Sequence, residues 1–217
     1  MNPSIGEHRA KGPQSLTLAV ITVSDTRTVE TDTSGSLIVE LATNAGHEVE
    51  VRAIVHDEPV DMRSLLLELG ETEAVDAILM TGGTGISPRD QTYETVSELL
   101  TKPLPGYGEL FRMLSYAEIG SACILSRAVG GLMGRTVVLV MPGSRAAVNL
   151  AMTKIILPEL PHLVGEARKV QTPGTPVYST PALPDIESDR HGRGGVERLD
   201  TSRDRDATRG GAPQVRR

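Results

Sequence analysis

Ala77-Ile78-Leu79-Met80-Thr81-Gly82-Gly83-Thr84-Gly85-Ile86-Ser87-Pro88-Arg89-Asp90 is the stretch that decides the architecture. Four apolar residues read as a buried strand and run straight into a glycine-rich loop, and the pattern from Thr92 to Leu100 is helical. A strand that turns through glycine into a helix is the repeating unit of an α/β protein with a largely parallel sheet. The same unit recurs on both sides. Leu16 to Val23 reads as a buried strand, followed by the polar loop Ser24 to Arg27 and a helix opened by Ser34 and Gly35 and closed by Gly46. A second strand spans roughly 48–55, and His56 to Pro59 leads into a helix through Met62, Leu65, Leu66 and Leu69 that stops at Gly70. Further on, the stretch from Pro103 to Gly108 breaks the pattern and Leu110 to Ala117 is helical. Ser121 to Met133 is ambiguous, because Gly130 and Gly131 interrupt its apolar residues. Val137 to Met141 is a buried strand ending in Pro142-Gly143-Ser144, and a helical region from Ala146 to Lys169 is expected to break at Pro158 and Pro161.

Composition bounds what such a chain can be. It has 217 residues, organised as a flexible arm (1–14), one α/β domain (15–170) and a tail (171–217) whose Pro, Gly, Arg, Asp and Ser lack periodicity and read as disordered. Valine, leucine, isoleucine, alanine and methionine supply the core, since there is no tryptophan and only one phenylalanine. A single cysteine, Cys123, rules out an intrachain disulfide and suits a reducing compartment. No stretch is long enough for a membrane span, and the N-terminus lacks the apolar segment of a signal peptide, so a cytoplasmic protein is expected. The net charge is −6, and the tail is nearly balanced, so the acidity belongs to the domain. Nucleic acid is therefore an unsuitable partner. An anionic ligand must be held locally, by backbone amides and a few basic groups.

Ligands of open α/β sheets bind where strands end and helices begin. The loops in question are Ser24 to Arg27, His56 to Pro59, Thr81 to Asp90 and Pro142 to Arg145. Three glycines within Thr81-Gly82-Gly83-Thr84-Gly85 permit positive φ and let consecutive N–H groups converge on one point beside a helix start, which suits phosphate. The threonine hydroxyls offer further donors, and Arg89 offers a charge. Asp90 is the odd member, because a carboxylate repels phosphate unless a metal ion or proton intervenes. Read alone, the loop is equally a tight turn with Asp90 or Thr92 as helix cap, Ser144 a plain N-cap, and Asp57 an ordinary Asx-turn residue. It is neither G-x-G-x-x-G nor a P-loop. Tyr93, Tyr107, Phe111 and Tyr116 cluster in sequence and read as core filling before anything else. The five histidines show no metal-ligand spacing.

Several blocks together resemble the MoaB/Mog family of molybdenum cofactor biosynthesis proteins. They are Val23 to Arg27, Asp32 to Gly35, Thr81 to Thr92, Pro105 to Arg112, Leu114 to Tyr116, Leu125 to Ala128, Pro142 to Ser144 and Leu157 to Leu160. The resemblance covers roughly Glu7 to Glu166. It implies a three-layer α/β/α sandwich with a mostly parallel sheet, a short strand within Ser121 to Met133, and a homo-oligomer, trimer or hexamer. It also implies molybdopterin binding and adenylyl transfer from ATP with release of pyrophosphate, assisted by Mg²⁺. Carried over by motif, Asp57 and Asp90 are the carboxylates of the reaction centre and candidate Mg²⁺ ligands. Thr81, Gly82, Gly83, Thr84, Gly85 and Ser144 contact phosphate and pterin, with Ser24 and Asp25 nearby. Arg145 and the tail depart from the family pattern. Two other functions are weighed against the adenylyltransferase: a non-catalytic molybdopterin-binding or assembly protein, and a sugar-phosphate or nucleotide hydrolase, which would lack a general-base histidine near the glycine loop.

Overall fold

The computed structural model describes residues 13–71 and 74–169. The expected arm, apart from residues 13 and 14, and the expected tail fall outside them. Strands β1 (Thr17–Val23), β2 (Glu48–Val55), β3 (Ala77–Thr81), β4 (Lys102–Pro103), β5 (Val129–Met133) and β6 (Thr136–Met141) form one sheet in the order β2-β1-β3-β6-β5-β4. The first four in that order run parallel, and β5 is antiparallel to both β6 and β4. Helices α1 (Thr33–Asn44), α2 (Pro59–Glu71), α3 (Thr92–Leu99), α4 (Pro105–Ile119), α5 (Arg145–Ala151) and α6 (Leu157–Ala167) cover it.

Two apolar layers follow from the pleat, which sends successive side chains to opposite faces. Leu18, Val20, Leu79, Leu139 and Met141 pack with Leu37 and Ile38 of α1, Phe111 of α4, Val148 of α5 and Leu160 of α6. Ala19, Ile21, Ile78, Met80, Val138 and Val140 pack on the other side with Met62 and Leu66 of α2 and Val96 of α3. The result is a three-layer α/β/α sandwich. All five residues of β3 and all six of β6 are buried, which is why both read as unbroken apolar runs rather than alternating ones. Each fully buried Val, Leu, Ile or Met side chain contributes about 1.5–3 kcal/mol.

Boundaries shift where tertiary contacts outweigh local signals. Asp32, not Ser34, caps α1: its Oδ1 accepts from Gly35 N–H at 2.8 Å and its Oδ2 from Thr22 Oγ1 at 2.7 Å. Gly70 lies inside α2. Helix α4 begins at Pro105, five residues before the expected start, because proline without an N–H is at home in a first turn. Ser121 to Met133 divides into the 3₁₀ turn Gly120–Leu125 and β5. Pro158 and Pro161 do not break the last helical region. Met152–Ile156 widens into a π turn in which Leu157 N–H bonds Met152 O, just ahead of Pro158, and Pro161 sits within α6.

His47 introduces a pH dependence into this core. Its side chain is buried, Nδ1 has no hydrogen-bond partner, and burial lowers its pKa below the ordinary value. Protons are then taken up by the unfolded chain more readily than by the native one as pH falls through about 6.5. Stability from this group is complete above that value and declines below it. Melting temperatures between pH 8 and pH 5 are expected to fall more steeply for the wild type than for His47→Gln, and parallel curves would remove His47 as the cause.

Candidate functional site

From β1 the sheet extends to β2 on one side and to β3 on the other, so the loops leaving β1 and β3 diverge at a topological switch point. The glycine loop leaves β3 there, and its glycines are sterically required. Gly82 has φ +100°, and a Cβ on it would lie 2.3 Å from the carbonyl oxygen of Val23 at the end of β1. Gly83 has φ +61°, and a Cβ would lie 2.4 Å from Asp57 Oδ2 and 2.1 Å from Thr92 Oγ1. The turn after β6 adjoins the same loop: Gly82 N–H bonds Met141 O at 3.3 Å, Thr81 Oγ1 donates to Pro142 O at 3.2 Å, and a Cβ on Gly143 would come 3.3 Å from Gly82 Cα. The two turns therefore share one end of the sheet.

Asp57 comes from the loop after β2 and is only 6% exposed. Its Oδ1 accepts from the N–H of Gln91, at the start of α3, at 3.0 Å. Burial raises its pKa, the Gln91 N–H opposes this, and the charges of Asp90 and Asp25 raise it further. Asp90 Oδ2 accepts from Ser87 N–H at 3.0 Å, closing the glycine loop on itself rather than capping α3, whose cap position is Gln91. The cap reading for Asp90 and Thr92 is thereby corrected, because Thr92 is already helical and its N–H bonds Gly83 O at 3.0 Å.

Asp25 is drawn into an ion cluster. Arg89 Nε and Nη2 donate to its two oxygens at 2.7 and 2.9 Å, Arg89 Nη1 pairs with Glu58, and Asp25 Oδ1 accepts from Asp57 N–H at 3.1 Å. The Arg89 guanidinium holds the Asp25 carboxyl down at about 2. One arginine thus joins the loops after β1, β2 and β3, and its charge is already matched by two carboxylates. Ser24 Oγ accepts from the N–H groups of Thr26 and Arg27 at 3.2 and 3.1 Å, shaping its own loop. Ser144 caps α5 by accepting from Ala147 N–H at 3.2 Å, while Arg145 Nη1 donates to Thr33 O at 3.2 Å. The capping reading of Ser144 is correct as local structure, and the same position sets its hydroxyl at the shared loop end.

Arg127 stands in one of the blocks that carry the family resemblance, but its role at the glycine loop is not legible in the sequence. Its Nε donates to Thr84 O at 2.9 Å, Nη2 to Gly85 O, and Nη1 pairs with Glu94, while its guanidinium lies 5.0 Å over the Tyr93 ring. By holding two carbonyls on the outer side, it fixes the orientation of the loop's peptide planes. A lysine cannot reproduce this planar fork. Arg127→Lys is expected to raise the KM for a phosphate-bearing substrate about tenfold, the scale of one hydrogen bond to a charged group, with a smaller change in kcat. An unchanged KM would leave Arg127 with stability alone.

This geometry defines an open α/β protein whose candidate site lies at the switch point, built from a glycine nest and two carboxylates. The family described as "Probable molybdopterin binding domain" matches residues 19–162. Molybdenum cofactor biosynthesis protein B from Bacillus cereus is 50% identical over 167 residues, which cover 76% of this chain and 99% of that protein. A crystal structure of a molybdenum cofactor biosynthesis protein B superposes with TM-score 0.70 at 51% identity, covering 72% of this chain and 98% of the other. The tungsten cofactor synthesizing protein MoaB from Pyrococcus furiosus superposes with TM-score 0.64 at 36% identity, over 72% and 99% of the two chains. The chain belongs to the MoaB/Mog family of molybdenum cofactor biosynthesis proteins.

Proposed function

We propose that this protein binds molybdopterin and transfers to it the adenylyl group of ATP. A phosphate oxygen of molybdopterin attacks the α-phosphorus, the new P–O–P linkage forms, and the bond to the bridging oxygen breaks as pyrophosphate leaves with the electron pair. The observation that supports this most directly is the close fit of Gly83 against Asp57 and Thr92, which brings an amide nest and a buried carboxylate into contact. Two anionic reactants must be aligned and their charge countered, and the nest does both without a lysine. Arg89 contributes by holding three loops in register, since Asp25 and Glu58 already engage its guanidinium. Ser24, Asp25, Thr81 to Gly85 and Ser144 surround the reacting groups in this reading.

Mg²⁺ fits the donors present. Asp57 and Asp90 each use one oxygen for a backbone N–H, and the other makes no hydrogen bond among the described residues. No group of three or more His, Cys, Asp or Glu residues suited to a metal occurs among the described residues. Mg²⁺ is commonly held by one or two carboxylates plus substrate phosphates, and it would screen the triphosphate charge. Incubation with molybdopterin, ATP and Mg²⁺ is expected to give adenylylated molybdopterin and pyrophosphate. Tight molybdopterin binding without product would select the non-catalytic assembly role, and consumption of ATP without a pterin acceptor would select a hydrolase.

A homo-oligomer, trimer or hexamer, is part of the same proposal. Leu110, Met113, Tyr116 and Ile119 of α4 and Ile124 and Leu125 of the following 3₁₀ turn expose apolar side chains, an arrangement that marks contact surfaces. Sedimentation equilibrium at micromolar concentration is expected to give a multiple of the 23.1 kDa chain, and a monomer mass would remove this element. No helix among the described residues is long and apolar enough to cross a membrane.

A further inference from the structure

The turn Pro142-Gly143-Ser144 is gripped by two hydroxyl groups that lie far away in sequence. Ser34 Oγ, in the first turn of α1, donates to Gly143 O at 2.8 Å across 109 residues. Thr81 Oγ1, at the end of β3, donates to Pro142 O at 3.2 Å across 61 residues. Gly143 is exposed, so water could satisfy its carbonyl. What the bond from Ser34 adds is a direction.

Peptide planarity carries that direction to the next amide. In a trans peptide the C=O of one residue and the N–H of the next point in opposite directions, and no peptide bond among the described residues is cis. Holding Pro142 O toward Thr81 sends Gly143 N–H the other way, and holding Gly143 O toward Ser34 sends Ser144 N–H away from α1. Neither N–H donates a hydrogen bond among the described residues. The turn lies against the glycine loop, since a Cβ on Gly143 would come 3.3 Å from Gly82 Cα. Arg127 applies the same device to that loop by holding the carbonyls of Thr84 and Gly85. The N–H groups of Gly83, Thr84, Gly85 and Ile86 likewise donate no hydrogen bond among the described residues.

We infer that Ser34 and Thr81 are positioning residues, which aim the N–H groups of Gly143 and Ser144 at the anion held by the glycine loop. The inference rests on the proposed phosphate chemistry of the site and names the side chains that orient its second row of donors. Thr81 is fully buried, so its hydroxyl acts on the turn and not on the ligand. Donors fixed in this way need no reorganisation when charge arrives. A turn free to rotate its peptide planes would lose part of the binding energy to ordering. A neighbouring link between the same segments, Arg145 Nη1 to Thr33 O at 3.2 Å, engages neither carbonyl and provides the control.

The test titrates the ¹⁵N-labelled full-length protein with pyrophosphate and Mg²⁺ and follows the backbone amide resonances. In the wild type, the amides of Gly143 and Ser144 are expected to move together with those of Gly83, Thr84 and Gly85. Ser34→Ala is expected to lower the affinity about tenfold, the scale of one hydrogen bond to a charged group. Movement at Ser144 is lost in that variant while the glycine-loop amides still move. Ser34→Thr, which keeps the hydroxyl, restores the Ser144 movement, and Thr81→Val removes that of Gly143. Arg145→Ala leaves the Ser144 movement in place. Unmoved Gly143 and Ser144 amides in the wild type, or a Ser144 amide that still moves in Ser34→Ala, overturn the inference. Loss of every amide movement in Ser34→Ala, no restoration by Ser34→Thr, or the same loss in Arg145→Ala also overturns it and leaves Ser34 a structural role. If the amides respond as expected but no adenylyl transfer occurs, the positioning role stands and the catalytic reading falls. If transfer occurs and Ser34→Ala has an unchanged KM for ATP, the positioning role falls alone.

Discussion

Replacing Asp57 with asparagine is expected to raise the melting temperature at neutral pH while adenylyl transfer falls by about a hundredfold, the penalty that lost positioning can carry. Both effects share a cause. The Asp57 carboxyl is buried, and its folded pKa is raised above the ordinary 3.8 by burial and by the charges of Asp90 and Asp25. Above 3.8 the unfolded chain ionises this group more readily than the native state does. The wild type therefore loses stability as pH climbs from that value through the raised one. Asparagine carries no charge, and its side-chain oxygen can still accept from Gln91 N–H, so this destabilisation disappears along with the carboxylate. Such exchange of stability for activity is common where a site needs a buried charge. Asp90→Asn should likewise depress transfer while pterin binding survives. By removing one of the charges that raise the Asp57 pKa, it should also shift the acid limb of any residual activity to lower pH. Normal turnover by either variant, or a lower melting temperature for Asp57→Asn at pH 7, would falsify this assignment.

Gly83→Ala is expected to lose both stability and molybdopterin binding, and its effect can be separated from simple backbone strain. Any L side chain at φ +61° costs about 1–2 kcal/mol. At Gly83 the added carbon also falls 2.1 Å from Thr92 Oγ1 and 2.4 Å from Asp57 Oδ2, so the start of α3 and the Asp57 loop must move apart. Gly46 provides the control, with φ +89° and, beyond its chain neighbours, no atom within 4 Å of the place a Cβ would take. Gly46→Ala should lower the melting temperature by the strain alone and leave calorimetric molybdopterin binding intact. If Gly83→Ala binds molybdopterin as well as Gly46→Ala does, the nest is not where the ligand sits.

The glycine loop is legible in the sequence because it needs only its own residues: an apolar run, three glycines and a helix start state the turn locally. The same holds for β1, β3 and β6, whose burial on both faces leaves unbroken apolar sequence. The capping role of Asp32 is obscured because Ser34 and Gly35 look like a helix start, and the competing partner, Thr22, is ten residues away in the preceding strand. The early start of α4 at Pro105 is hidden because prolines and glycines at 103–108 carry the marks of a loop, and only packing of Tyr107 and Phe111 into the core shows that they belong to a helix.

Residue order alone determined the α/β class, the buried strands and the glycine turn, each written in spacings shorter than one strand-turn-helix unit, and the family resemblance, which several blocks spread over the domain carry together. Tertiary structure decided which charges are already matched. Arg89 looks in sequence like a phosphate ligand, yet it lies 64 residues from Asp25 and is bound to it. Arg127 reaches back more than 40 residues to the loop it supports, while Arg112 has no protein partner among the described residues. Coulomb energies and hydrogen bonds depend on distance through space, and the sheet order that sets those distances is a property of the folded chain.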